Sequence, residues 1–153
     1  MDPSRSLAVA ASILLLGSAL ACGSGSSSPS GIDVDNEGCT TSFSGTYDFA
    51  YTTESGNCGA LPAEQGTVMG NPSSNLANAC VGGSGTVTEA PGDAGGCTVV
   101  AHLSGCQVMG SSETLQIDET ATWNAGYTMA TGTLSVVISG DCSGTYDLTA
   151  TQQ

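Results

Sequence analysis

The chain has 153 residues, 14 of them acidic against a single Lys or Arg and one His, for a net charge of −13. That one basic residue, Arg5, stands near the start, so everything after it lacks a permanent cation. Nucleic-acid binding, which rests on Lys and Arg contacts to phosphate, is excluded, as is electrostatic docking on anionic headgroups. A partner recognised by charge has to be cationic; any other has to be neutral.

Residues 7–21 (LAVAASILLLGSALA) are apolar or small throughout. This is short of the roughly 20 residues that cross a bilayer as a helix. A charged start, a short apolar core and a small-residue end form a secretory signal peptide over residues 1–21. Ala19-Leu20-Ala21 fits ordinary A-x-A cleavage. Ser18-Ala19-Leu20-Ala21-Cys22 also resembles the lipobox of bacterial lipoproteins, with Ala19 where that family prefers leucine. The resemblance implies cleavage before Cys22 and diacylation of its thiol with palmitate-type chains. It further implies anchoring in a bacterial membrane, at the outer membrane or cell surface. Two acyl chains anchor stably where one binds only marginally. The cysteine count agrees. There are seven, and lipidation of Cys22 leaves Cys39, Cys58, Cys80, Cys97, Cys106 and Cys142 for three disulfides. Six cysteines allow 15 pairings, and the sequence does not choose among them.

Residues 22–38 read as the lipidated cysteine and its tether. Residues 23–31 (GSGSSSPSG) bury too little apolar surface to order themselves and act as a flexible linker. Asp33, Asp35 and Glu37 then alternate, with Gly38 at the sixth position of a calcium-type loop. The twelfth position is Ser44 where a bidentate Glu is required. A solvated acidic linker end is the plainer reading, with Ca²⁺ as a weak candidate.

Residues 39–153 make one domain. Thr, Ser, Gly and Ala dominate it and large apolar residues are sparse, so disulfides formed in an oxidising compartment supplement a thin core. Ser44-Gly45-Thr46-Tyr47-Asp48 recurs as Ser143-Gly144-Thr145-Tyr146-Asp147, each copy followed by apolar residues at every second position. Period two marks strands, and the two copies suit neighbouring strands that bring the domain ends together and close the sheet. Further strand candidates are 66–69, 84–89, 97–104, 107–109 after a bend at Gly105-Cys106, 113–123, and 127–139. Asn124-Ala125-Gly126 reads as a hairpin turn. Residues 71–79 hold at most one helical turn. The fold class is therefore all-β: a single antiparallel domain of seven or eight short strands, as a meander barrel or a sandwich, stapled by disulfides. In outline it resembles the small lipocalin-type barrels found on some bacterial lipoproteins.

His102, in a strand, lacks the second His of a metal site and the nucleophile elbow of a hydrolase. Asp118 and Glu119 are adjacent, so in a strand they point to opposite faces and cannot share one substrate. Glu119 interrupts an apolar face: it is either a group with a raised pKa in a pocket or, the preferred reading, a residue facing the mouth at a barrel rim. The expected function is an exported, lipid-anchored envelope protein with a binding or structural role, not an enzyme, and without a cofactor. Its partners are the membrane and a small apolar ligand or a cationic or neutral envelope component. One alternative is a carrier holding an apolar ligand in a barrel interior lined by Tyr47, Phe49, Leu115, Ile117 and Trp123. Another is an envelope hydrolase working through two carboxyls roughly 5–9.5 Å apart.

Overall fold

The computed structural model describes residues 31–35, 39, 43–71, 73, 76–77, 80–107 and 112–153. The leader, Cys22, linker residues 23–30, Glu37 and residues 108–109 of the 107–109 strand candidate lie outside the described residues. Eight strands follow in chain order: β1 (Ile32–Asp35), β2 (Phe43–Gly56), β3 (Glu64–Gly70), β4 (Ser84–Pro91), β5 (Cys97–Gln107), β6 (Thr114–Trp123), β7 (Met129–Ile138) and β8 (Cys142–Gln152). They form one sheet in the order β1-β4-β5-β6-β7-β8-β2-β3. Six of the seven pairings are antiparallel; β1 runs parallel to β4.

The strands form where period-two patterning is clean. In β6, Leu115, Ile117, Glu119, Ala121 and Trp123 are buried, while the residues between them face outward. β7 and β8 repeat the pattern with Leu134, Val136 and Ile138, and with Tyr146, Leu148 and Ala150. A single sheet with one apolar face and no second layer must cover that face by curling on itself. The result is a half-barrel with the core on its concave side. Among the described residues, β1 and β3 are edge strands with no partner across the gap, so it stays open. The architecture is thus all-β and disulfide-stapled, with eight strands in one mixed sheet curled into a half-barrel.

The parallel strand was hidden in the tether. Ile32 is buried and Val34 half-buried, enough for four residues to dock on β4 in register Ile32↔Gly85 to Asp35↔Thr88. Asp33 and Asp35 consequently lie in extended backbone with exposed side chains; Glu37, the third residue of the calcium candidate, lies outside the described residues. The bend after Ser104 is a bulge against β6, with Gly105 at φ 71°, a backbone region that glycine enters without a Cβ penalty. Ser73, Leu76 and Ala77 are helical, within the stretch that allows a single turn.

The SGTYD repeat has a physical cause. The two copies lie on neighbouring antiparallel strands, so Tyr47 faces Gln152 and Tyr146 faces Thr53. Each copy sits opposite the far end of the other strand. The repeat does bring the domain ends together, yet β3 pairs outside β2 and leaves the sheet unclosed. Within each copy Gly and Tyr are two residues apart on the concave face, and the phenol leans back over the glycine. A Cβ on Gly144 would lie 2.5 Å from the Tyr146 hydroxyl, and one on Gly45 would lie 3.1 Å from that of Tyr47. Both rings are buried, and each hydroxyl donates to a loop carbonyl: Tyr47 to Tyr127 at 2.6 Å and Tyr146 to Gly59 at 2.9 Å. Glycine is required because the ring occupies the space its side chain would take. Gly144→Ala is expected to cost about 1–3 kcal/mol through overpacking, and Tyr146→Phe about 1–2 kcal/mol by orphaning the Gly59 carbonyl. Gly126→Ala, whose Cβ meets nothing closer than 3.8 Å, serves as the neutral control. Urea unfolding of the three variants measures all of this.

Three disulfides tie loops to the sheet: Cys39–Cys97, Cys58–Cys142 and Cys80–Cys106. Cys58 and Cys142 join the β2–β3 connection to the start of β8. Cys80 and Cys106 join the approach to β4 to the end of β5. Cys39 and Cys97 join the β1–β2 connection to the start of β5, at the opposite end of the half-barrel.

Candidate functional site

The concave face is apolar at its ends and polar at its centre. At one end Tyr47 and Trp123 meet edge to face with centroids 5.1 Å apart. Leu115 and Ile117 are buried further along β6, and Phe49 packs half-buried against the same cluster. The five residues expected to line a ligand chamber are therefore part of the core that holds the half-barrel together.

Between them three glutamates turn inward. Register puts Glu119 in the middle of β6, flanked by Ala101 of β5 and Leu134 of β7. It is 8% exposed, so it is a mid-strand interior group and not a rim residue. Strand pairing through Leu115, Ile117, Ala121 and Trp123 overrides the preference of one carboxyl for water. Burial alone pushes its pKa up to about 7. Tyr51 of β2 lies near enough that the charges of Glu119 and Glu64, added to burial, hold its phenol far above the ordinary range. Glu64, at the start of edge strand β3, is raised by burial, and its Oε1 is buried without a partner.

Glu89 of β4 is the third. Its Oε1 accepts from the Ser73 amide at 3.3 Å, while its Oε2 and the Ser73 hydroxyl are buried and unmatched. Ligand atoms of Cys39, Glu89 and Cys97 lie within 4.8 Å of one another. The two sulfurs are bonded to each other, however, so neither is a thiolate able to take a metal.

On the convex face His102 Nδ1 sits 2.7 Å from Asp118 Oδ1. Gln116 donates to the other oxygen at 3.1 Å. The histidine bond, with smaller help from Gln116 and the imidazole charge, holds the Asp118 carboxyl below its usual range despite some desolvation. Both side chains are well exposed, so this pair contributes little to stability. As alternation requires, Asp118 and Glu119 face opposite sides. A shallow groove of about 460 Å³ lies at the end of the sheet near Trp123, bordered by Pro91, Asp93, Thr98, Thr122, Asn124 and Met129. Asp93 is its one charged residue.

Sequence alone flagged Glu119 as an exception in an apolar strand. It did not flag Tyr51 or Glu64 as its neighbours, since only the curl of the sheet brings β2 and β3 over β6. No protein-family model, curated protein or solved structure matches the chain.

Proposed function

We propose that the chain is an exported, lipid-anchored protein of the bacterial envelope whose half-barrel binds a small molecule on its concave face. The observation that carries the first half is the cysteine balance. The six cysteines after Cys22 are consumed in three disulfides, so the odd cysteine is the one that follows Ala19-Leu20-Ala21. Disulfides on this scale belong to an oxidising compartment, and an unmatched cysteine at a lipobox-like site is accounted for by acylation. Gly31, where the linker reaches the sheet, leads straight into β1.

The binding half rests on the polar centre. Glu119, Tyr51 and Glu64 stand on the concave side of three strands, and Glu64 Oε1 is buried without a partner among the described residues. Both glutamates are raised by burial.

Intact mass of the protein extracted from membranes tests the anchor. The expected mass is that of residues 22–153 less six hydrogens, plus acyl chains; Cys22→Ser is expected to abolish the lipid mass and to release the protein from the membrane fraction. A bare Cys22 thiol on exported protein would refute the anchor.

A further inference from the structure

We infer that Cys39, Cys97 and Glu89 form a binding site for one Zn²⁺ ion when the Cys39–Cys97 disulfide is reduced, so that the bond is the closed state of a metal site. Position comes first. Cys97 opens β5 and pairs with Pro91 of β4, while Glu89, two residues back along β4, pairs with Val99. Residues two apart share a face, so Glu89 stands diagonally across from Cys97, a separation that long side chains bridge. Cys39 arrives from the β1–β2 connection, its sulfur 3.8 Å from the Ala90 carbonyl oxygen. Ligand atoms of the three lie within 4.8 Å of one another, and all three residues are buried.

An unmatched carboxyl sets this place apart. Glu89 is 7% exposed. The Ser73 amide donates to its Oε1 at 3.3 Å, while Oε2 is buried with no partner among the described residues. A buried carboxylate oxygen without a donor is costly. The chain has no Lys or Arg after Arg5 to pair with it, and His102 is on the convex face, bonded to Asp118. Its partner is therefore a proton or a cation from outside the chain. The two sulfurs beside it favour the cation: two thiolates and a carboxylate suit Zn²⁺, a borderline-soft ion bound by sulfur at about 2.3 Å. Tetrahedral bonds of that length put the sulfurs about 3.8 Å apart, a separation reached by turning two side chains whose Cα atoms are 5.6 Å apart. One carboxylate oxygen held by an amide leaves the other oriented for the metal. Three protein ligands leave a fourth position for water, and the buried, unmatched Ser73 hydroxyl belongs to the residue that already holds Oε1.

The other two disulfides have no such companion: among the described residues this is the one group of three ligating side chains. Opening the site takes a dithiol reductant. Thiol–disulfide exchange begins at Cys39, which is 8% exposed where Cys97 is fully buried. The reductant's two thiols give up two electrons and two protons and close into a disulfide, while Cys39 and Cys97 take them up as thiols. Zn²⁺ then displaces both thiol protons to solvent and forms two Zn–S bonds, with no further electron transfer. Disulfide and metal are alternative occupants of one place.

Anaerobic titration of the purified protein with Co²⁺, before and after reduction by a phosphine, tests this. The reduced protein is expected to bind one Co²⁺ per chain with the visible and thiolate charge-transfer bands of tetrahedral cobalt, and to release it to Zn²⁺. The oxidised protein should show neither band. Glu89→Gln should weaken binding by about tenfold or more, the cost of removing even an outer partner of a ligand, and Cys39→Ser should weaken it further and remove most of the charge-transfer intensity. Replacing Cys80 and Cys106 together by serine should change nothing, since both are already thiols in the reduced parent. Zn²⁺ should raise the melting temperature of the reduced protein; if reduction unfolds the chain, Zn²⁺ should instead restore the strand spectrum in the far UV. The inference is overturned if the reduced protein shows no tetrahedral thiolate spectrum, if Glu89→Gln binds as tightly as the parent, or if the Cys80 and Cys106 double variant loses binding equally. The same bands in the oxidised protein overturn the role of the disulfide.

Discussion

Replacing Cys58 and Cys142 together by alanine is expected to lower the melting temperature by about 15 °C without changing the native far-UV spectrum. The cross-link spans 84 residues, the longest separation of the three. Loop-closure entropy for a loop of that length amounts to about 4.6 kcal/mol, against about 3.5 kcal/mol for the 26-residue separation of Cys80 and Cys106. The spectrum should hold because the native junction has other bonds. The Asn57 amide donates to the Ser143 carbonyl at 2.8 Å, and the Ser143 amide donates to Asn57 Oδ1 at 2.9 Å. The effect therefore falls on the unfolded chain, which is freed to expand. That gives a second readout: the denaturant slope m should rise, because more surface is exposed on unfolding. Domains of this size have only about 5–15 kcal/mol in total, so the loss is a large fraction of it. A melting shift below about 5 °C with m unchanged would mean that the unfolded chain is held compact by something other than this bond.

Reliance on cross-links follows from composition, and this part of the fold was open to inspection from the sequence. Sparse large apolar residues, regular Gly and Asn punctuation and period-two patterning over 113–123 and 127–139 point to strands. Alternation alone separates Asp118 from Glu119. What alternation cannot supply is how far a sheet curls. Residues 32–35 carry only two apolar side chains, too few to mark a strand until β4 is present to receive them. The SGTYD repeat pointed correctly to β2 beside β8. The inference of closure failed because β3 docks on the free side of β2, a choice set by the tight β2–β3 register from Phe43↔Gly70 to Phe49↔Glu64. The same long-range geometry hid the candidate site. Tyr51, Glu64 and Glu119 are spread over nearly 70 positions and share no motif; only curvature brings them together. The 15 possible disulfide pairings were likewise reduced to one set by which strand ends lie side by side.

Glu119 also makes a prediction about pH whose sign opposes the usual behaviour of a paired carboxylate. Its pKa in the folded chain is raised to about 7 from an ordinary 4.5, so the fold favours the neutral acid. The stability belonging to that preference is fully present below about pH 4.5. It is lost as pH rises through about 7, and is flat above. The difference corresponds to roughly 3 kcal/mol, or about 10 °C in melting temperature between pH 5 and pH 8. Glu64, also raised by burial, acts in the same direction. Asp118 acts in the opposite direction, its lowered pKa giving stability that is lost only as pH falls below the ordinary carboxylate range. General repulsion among the surface carboxylates also eases in mild acid, and it must be separated from the buried group. Glu119→Gln does this, because it removes one charge of many but the only buried one on β6. The variant should melt at nearly the same temperature at pH 5 and pH 8, and about 10 °C above the parent at pH 8. Asp147→Asn, which removes an equal charge from the convex surface, should keep the parent's slope. If both variants keep it, the dependence belongs to the surface as a whole, and Glu119 is ionised at neutral pH with a donor close by.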